Sequence, residues 1–178
     1  FTDGVKELTN NINPNDIKGI GAGGQMHGLV CLDENDNVIR PAILWNDSRT
    51  QAETDYLNEA IGKAKLSEMT ANIAFAGFTA PKLLWLKNND PENFAKTKKI
   101  MLPKDYLNYK LTGVHCTDYS DASGFLLLDV KNKQWSEEML NICSVTKEQM
   151  PELFESYEVV GKLLPHIATE LGLSSDTI

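Results

Sequence analysis

Short runs rich in apolar residues alternate along the chain with stretches of helical periodicity. Apolar runs bounded by turn-forming residues favour buried strands, whereas apolar residues that recur every three or four positions favour amphipathic helices. The runs predict strands at 17–22, 29–32 and 100–102, and the periodicity predicts helices at 49–61, 81–89 and 103–112. Because strands and helices are mixed, we predict an α/β or α+β fold.

A polar turn cluster at residues 33–37 separates the strand at 29–32 from a second apolar run that ends in Ile43 and Leu44. This arrangement predicts a hairpin. Residues 24–28 (Gly-Gln-Met-His-Gly) precede the hairpin, and residues 45–47 (Trp-Asn-Asp) follow it. We therefore expect these two groups to meet at the base of the hairpin.

Capping signals predict where several helices begin. Ser48 and Gln51 have the spacing of a capping box, in which each side chain bonds to the other residue's backbone. Thr146 and Gln149 form a second box of the same kind, and Ser136 has the position of a simple N-cap.

The size and charge of the chain exclude some classes of partner. With 178 residues, 42% of them hydrophobic and 24% charged, the chain resembles one soluble globular domain. Its net charge of −8 argues against a nucleic-acid partner, because phosphate binding needs a basic face. No apolar run is long enough to cross a membrane, so no membrane partner is predicted.

The cysteines and histidines form neither a disulfide nor a metal-binding pattern. Cys31, Cys116 and Cys143 lack a Cys-x-x-Cys spacing, and the three histidines are scattered. We therefore predict no disulfide framework and no bound metal. Free cysteines in odd number also favour the reducing cytoplasm as the location.

Gly19, Gly21 and Gly24 have the spacing of the dinucleotide-binding fingerprint. That fingerprint functions at the start of a helix, whose dipole holds the pyrophosphate. The residues after Gly24 are strand-like rather than helical. We therefore attribute these glycines to close strand packing and predict no cofactor site there.

His27 is the leading candidate for contact with a small ligand. Its imidazole could hydrogen-bond a substrate hydroxyl, and the flanking Gly24 and Gly28 permit close backbone approach. The alternative is an ordinary core or surface histidine, and from the residues alone the two interpretations stand about even. Met26 and Trp45 are core residues by default, although they also suit the apolar wall of a polyol pocket.

Asp118 and Asp121 are the best-spaced pair of carboxylates in the chain. Asp121 could serve as a general base, but an aspartate before Ala-Ser-Gly more often bonds to the backbone of a turn. We favour the turn, which would connect a pair of strands predicted at 115–119 and 125–130.

Several segments together resemble the FGGY family of carbohydrate kinases and, within it, the kinases that act on D-xylulose. Residues 77–89 (Gly-Phe-Thr-Ala-Pro-Lys-Leu-Leu-Trp-Leu-Lys-Asn-Asn) fit the first signature pattern of that family at every constrained position. The other segments are residues 24–28, residues 40–49 (Arg-Pro-Ala-Ile-Leu-Trp-Asn-Asp-Ser-Arg), residues 102–107 (Leu-Pro-Lys-Asp-Tyr-Leu) and residues 117–124. Ser48 replaces the glycine that is usual after Trp-Asn-Asp, which is a small departure.

The resemblance implies an actin-like (ribonuclease H-like) α/β fold, a mixed sheet with flanking helices, in a sugar kinase of two domains. It implies phosphorylation of D-xylulose to D-xylulose 5-phosphate with ATP and Mg²⁺. Met26 and His27 match the sugar-binding pair of these kinases, and Trp45 matches a tryptophan that walls the sugar pocket. The predicted substrate-binding residues are Gln25, Met26, His27, Trp45, Asn46 and Asp47.

Other parts that the family uses have no match within residues 1–178. The glycine-rich phosphate loop is not found before Ile17, and the catalytic aspartate of a Gly-Gly-Asp segment is expected just after Ile178. The ATP-binding second domain is also unmatched. We therefore expect residues 1–178 to be part of a sugar-binding N-terminal domain, inactive alone, with no catalytic residue and no bound ATP or Mg²⁺ of its own.

Two alternatives stay open at this point. One is another FGGY kinase, for a different pentulose or a polyol, and the other is a non-catalytic sugar-binding domain. The expected partner is a small sugar rather than nucleic acid or a membrane. Members of the family are often homodimers, so a homodimer is one assembly that the resemblance allows.

Overall fold

The protein is described over all 178 residues by a computed structural model, in which helices predominate over short strands. The α-helices are α1 (Thr2–Thr9), α2 (Gln51–Asp55), α3 (Lys63–Thr70), α4 (Thr79–Asn89), α5 (Pro91–Lys96), α6 (Pro103–Thr112), α7 (Tyr119–Ala122), α8 (Glu137–Cys143) and α9 (Pro165–Leu171). A π-helix at Tyr56–Gly62 joins α2 to α3, and 3₁₀ turns lie at Pro14–Asp16, Ser123–Phe125 and Lys147–Gln149. The strands are β1 (Val30–Leu32), β2 (Lys99–Met101), β3 (Cys116–Asp118), β4 (Leu128–Asp129), β5 (Gln134–Trp135) and β6 (Glu152–Phe154).

The strands form three two-stranded sheets with both parallel and antiparallel pairing. β1 pairs with β2 and β4 pairs with β5 in antiparallel register, whereas β3 and β6 are parallel. The predicted pairing of 115–119 with 125–130 is therefore wrong. The Asp118 carboxylate accepts a hydrogen bond from the Asp121 backbone N–H at 3.0 Å, and the helical turns that follow carry the chain away from β3.

The predicted hairpin after residue 28 is confirmed. Leu29 and Ile43 exchange two backbone hydrogen bonds of 2.9 and 3.1 Å across it. At its tip the Asp33 carboxylate accepts from the backbone N–H groups of Asn35 and Asn37, at 2.8 and 2.9 Å. Residues 24–28 and 45–47 consequently leave the hairpin side by side.

One of the two capping boxes is confirmed and the other is wrong. The Thr146 N–H donates to Gln149 Oε1 at 2.8 Å, as the spacing predicted. The helix expected after Ser48 begins instead at Gln51, with Thr50 as N-cap and no side-chain cap. The Thr50 hydroxyl donates to the Ala76 carbonyl at 2.9 Å, so a tertiary contact fixes this helix start.

The strand predicted at 17–22 is also not a buried strand. The last residues of the chain lie alongside it, where Ile20 N–H donates to the Ile178 carbonyl at 2.8 Å and Ile178 N–H to that of Lys18 at 3.0 Å. None of its residues is buried. With one short pairing partner, the segment is extended but does not join a sheet.

The main core surrounds α4 and includes 23 buried residues. Leu83 and Leu86 of this helix are fully buried, and Phe125 packs edge-on against Trp135 with 5.3 Å between ring centroids. None of the helices is both long and apolar enough to span a membrane.

The three thiols are all buried and unpaired. Burial raises the pKa of Cys31 and Cys143 to about 12 and that of Cys116 to about 11, so none is a reactive thiolate.

Candidate functional site

The imidazole of His27 is held between two partners at the base of the hairpin. It stacks on Phe78 with 4.6 Å between ring centroids and 22° between planes. On its other side Nδ1 lies 3.2 Å from the Gly124 carbonyl oxygen. A ring nitrogen that faces a carbonyl must carry the proton, so in neutral His27 the second nitrogen, Nε2, is the acceptor. Nε2 has no hydrogen-bond partner in the chain and is not buried, so it can accept from a ligand hydroxyl.

Glycine is required at two positions around this ring. A Cβ on Gly124 would collide with Nδ1 and Cε1 of His27. A Cβ on Gly28 would lie 2.6 Å from Pro103 Cγ, closer than real contacts allow. Gly124 therefore leaves room for the His27 ring, and Gly28 lets the chain beside His27 pass close to Pro103.

Beneath His27 lies Lys82 of α4, whose side chain is fully buried. Its ammonium donates to the carbonyl oxygen of His27 at 2.8 Å, to that of Phe78 at 3.1 Å and to that of Gly77. Burial lowers the pKa of Lys82 to about 8, and the charge of Asp47 opposes that shift.

The loop that carries Trp45 is attached to the same helix. Its backbone passes so close to Gly77 that a Cβ there would lie 2.9 Å from the Trp45 carbonyl oxygen. Further along the loop, Arg49 bonds the Asp47 carboxylate at 2.7–2.9 Å and stacks its guanidinium over the Trp85 ring at 4.8 Å. The hydrogen bonds from Arg49 hold the pKa of Asp47 below its ordinary value.

The structure brings some of the predicted site residues together and leaves others at the surface. His27 and the Trp45 loop both lie against the start of α4, through Phe78 and Gly77. The side chains of Met26 and Trp45 are 42% and 54% exposed, and are therefore not core residues. Gln25 and Asn46 are exposed without a hydrogen-bond partner in the chain. Asp47 is occupied by Arg49, which leaves it less free for a ligand.

The six predicted residues form an open surface rather than an enclosed cavity. A cavity of about 550 Å³ lies elsewhere and is lined by none of them. Its walls are residues 19–23 and 154–161, with Lys104 and Asp118 at its polar side. None of the six predicted residues is buried, so a ligand at His27 would stay open to solvent unless a further wall covers these side chains.

Sequence reasoning missed three residues of this surface, namely Phe75, Phe78 and Lys82. Phe75 is 51% exposed and packs edge-on to Phe78 with 5.4 Å between centroids, so the two rings continue the stack that begins at His27. A lysine directly after Pro81, within an apolar helix, was the available signal for Lys82. Phe78 lies in the signature segment 77–89, but its hydrophobicity alone indicated no role at the site.

A second polar cluster surrounds Lys104, which is 7% exposed. Its ammonium pairs with Asp118, with Asp121 at 3.1 Å and with Asp105 at 3.3 Å. Burial alone would lower the pKa of Lys104, but the three carboxylates outweigh it and raise that pKa. Because Asp121 pairs with Lys104, the structure gives it no role as a general base. No group of three or more ligating side chains in the chain could hold a metal ion.

Comparison with known proteins identifies the family. Residues 2–178 match the N-terminal domain of the FGGY family of carbohydrate kinases. The xylulose kinase of Bacillus subtilis is 46% identical over 167 residues, which are 94% of this chain and 33% of that protein. The ligand-bound xylulose kinase of Lactobacillus acidophilus superimposes with a TM-score of 0.91 at 28% identity, over 99% of this chain and 36% of that one. The gluconate kinase of the same organism gives a TM-score of 0.91 at 29% identity over the same shares.

The chain spans about a third of the length of the curated xylulose kinases that it matches. Over nearly all of its own length it has the fold of actin-like sugar kinases, so the predicted α/β class is confirmed. The chain therefore belongs to the FGGY family of carbohydrate kinases.

Proposed function

We propose that the full-length protein containing this chain transfers the terminal phosphoryl group of ATP to D-xylulose, giving D-xylulose 5-phosphate. In this proposal, residues 1–178 contribute one side of the sugar pocket. The observation that carries it is the fixed His27 ring, whose Nε2 is free to bond a hydroxyl beside the exposed side chains of Met26 and Trp45. Support for the sugar comes from relatives named xylulose kinase, at 38–47% identity.

The chemistry asked of this chain is positioning. Phosphoryl transfer requires the attacking hydroxyl to be held in line with the leaving group. Neutral His27 can accept a hydrogen bond from one sugar hydroxyl, and the Phe78, Phe75 and Trp45 rings can cover the carbon skeleton and exclude water. Gln25 and Asn46 supply further donors and acceptors at the rim.

ATP and Mg²⁺ belong to the same proposal, but the residues of this chain do not fit them. The acidic cluster of Asp105, Asp118 and Asp121 is occupied by the Lys104 ammonium rather than open to a cation. We therefore assign both groups to parts of the full-length protein outside residues 1–178. A cytoplasmic location, which free buried thiols favour, and a homodimer are included in the proposal as well.

The test is sugar-dependent ADP formation by the full-length protein, with D-xylulose, other pentuloses, glycerol and gluconate compared. We expect D-xylulose to have the highest kcat/KM. His27→Ala should lower that kcat/KM by about a hundredfold, because it removes one hydrogen bond and the contact made by the imidazole ring, and it should leave the KM for ATP unchanged. His166→Ala, which removes an exposed histidine on α9, is the matched control.

Higher kcat/KM with gluconate or glycerol would move the assignment to another FGGY kinase. The gluconate kinase at TM-score 0.91 makes that the second candidate. Sugar binding without any ADP formation would indicate a non-catalytic domain instead.

A further inference from the structure

One buried cation connects the two segments that carry the stacked rings of the candidate sugar site. Lys82 has no solvent exposure, and its ammonium has three N–H donors. The structure gives it three carbonyl acceptors, two on consecutive residues, Gly77 and Phe78, and one on His27. A charge this deep is tolerated only when its donors are all satisfied, which is the case here.

The three carbonyls belong to two different segments of the backbone. Those of Gly77 and Phe78 lie at the start of the lysine's own helix, and fixing them fixes the Phe78 ring. The third belongs to a residue with φ of 67°, a left-handed conformation that side-chain-bearing residues seldom adopt. Such a conformation persists only when its surroundings hold it. The 2.8 Å bond from Lys82 and a longer 3.4 Å contact from the Thr79 hydroxyl provide that support for His27.

We infer that Lys82 is a positioning residue for the sugar pocket, which sets the direction of the His27 imidazole by holding its carbonyl oxygen against the Phe78 segment. This inference rests on the proposed function. Lys82 does not touch substrate, because it has no exposed surface. Its effect on the sugar passes through His27.

A role limited to folding makes a different prediction from a positioning role. A purely structural lysine would, when replaced, lower stability and affect sugar and ATP alike. A positioning lysine would, in protein that remains folded, raise the KM for the sugar and leave the KM for ATP unchanged.

The test uses the full-length protein with Lys82→Met, which keeps the length and apolar stem of the side chain but removes all three donors. In folded protein we expect the sugar KM to rise about tenfold and the ATP KM to stay within about twofold. Lys87→Met is the matched control, because Lys87 lies on the same helix, is exposed and bonds the Ser144 hydroxyl at 2.7 Å.

A double variant makes the test specific for His27. In a His27→Ala background, Lys82→Met should raise the sugar KM no further, because the residue it positions is gone. Lys82→Gln, which restores two donors, should fall between wild type and the methionine variant, and it replaces that variant if Lys82→Met does not fold.

The inference is overturned if folded Lys82→Met keeps the wild-type sugar KM, if sugar and ATP KM rise together, or if the two single effects simply add. It is also overturned if neither variant folds, because the role would then be structural only. A wild-type protein that phosphorylates no sugar at all refutes the proposed function instead, so the two failures are distinguishable.

Discussion

The imidazole of His27 lies against the phenyl ring of Phe78, with 4.6 Å between centroids and 22° between planes. The stack covers one face of the imidazole, and the backbone of Gly124 lies close to its Nδ1 side. These contacts leave one nitrogen, Nε2, for a ligand. The direction of that nitrogen is therefore determined by residues distant in sequence from His27.

Replacing Phe78 by leucine tests the stack. Leucine remains apolar but cannot present a flat face, and an aromatic pair of this kind contributes about 0.5–1.5 kcal/mol. We expect the sugar KM of the full-length protein to rise about tenfold, with the ATP KM unchanged, in steady-state kinetics. Tyr157→Leu, which alters an aromatic residue that is 84% exposed, is the control. Equal sugar KM values for Phe78→Leu and wild type would contradict the role given to the ring.

Gly124→Ala tests the other side of the imidazole. The added Cβ collides with the His27 ring, so the ring must move away from its present position. We expect a higher sugar KM and a free energy of unfolding lower by about 1–3 kcal/mol, the usual cost of overpacking. Gly4→Ala adds the same methyl group in open space within α1. It should leave the sugar KM unchanged and should not lower the free energy of unfolding, because alanine favours a helix over glycine. A crystal structure of Gly124→Ala with the ring unmoved would refute this account.

Asp105 predicts a pH dependence of stability. Burial raises its pKa to about 6, although Lys104 opposes the shift. The folded state then binds the proton more tightly than the unfolded state, whose pKa is about 3.9. The stabilisation from this group is fully present below about pH 4 and is lost as the pH rises through about 6.

Asp105→Asn removes that dependence, because asparagine does not titrate. We expect the free energy of unfolding of wild type, relative to this variant, to fall by about 2 kcal/mol between pH 4 and pH 7 in urea titrations. Asp3→Asn, at an exposed position of α1, controls for the loss of a carboxylate. A relative stability that instead increases with pH would mean that pairing with Lys104 dominates over burial.

Trp135 offers a change in stability without a change in activity. Its indole N–H donates to the Pro151 carbonyl at 2.9 Å in the core. Trp135→Phe leaves that carbonyl without its donor, so the free energy of unfolding should fall by about 1–3 kcal/mol. Sugar and ATP KM should both stay at wild-type values, and a selective change in sugar KM would show that the core and the site are coupled.

The parts of the fold that could be predicted from the sequence depend on residues that lie close together in the sequence. Ser136 caps α8 by accepting from the Met139 N–H at 3.3 Å, and Thr146 and Gln149 form their box, because these groups are three positions apart. Pro103 and Gly113 likewise bound α6 as predicted. In each case the determining atoms lie within one turn of the chain.

The errors have the opposite origin. The partner of β3 is β6, which the local pattern around residues 115–130 could not indicate. The π-helix at Tyr56–Gly62 interrupts the regular helix that was predicted up to residue 61, and the periodicity did not indicate this change. In the candidate site, His27 was predicted from the family resemblance. Its contact with Lys82 could not be predicted, because the two residues are 55 positions apart and no periodic pattern connects them.

α4 contacts the candidate site at three successive turns: Phe78 at its N-cap lies on the His27 ring, Lys82 bonds the His27 carbonyl, and Trp85 lies under Arg49. The His27 imidazole and the loop that carries Trp45 are therefore both attached to α4. If α4 tilts or shifts, the His27 ring and the Trp45 loop move with it, and the distance between them is kept. The width available to a ligand between His27 and the Trp45 loop is therefore constant. Adaptation to differently shaped sugars must come from the part of the protein that covers the exposed side of the site.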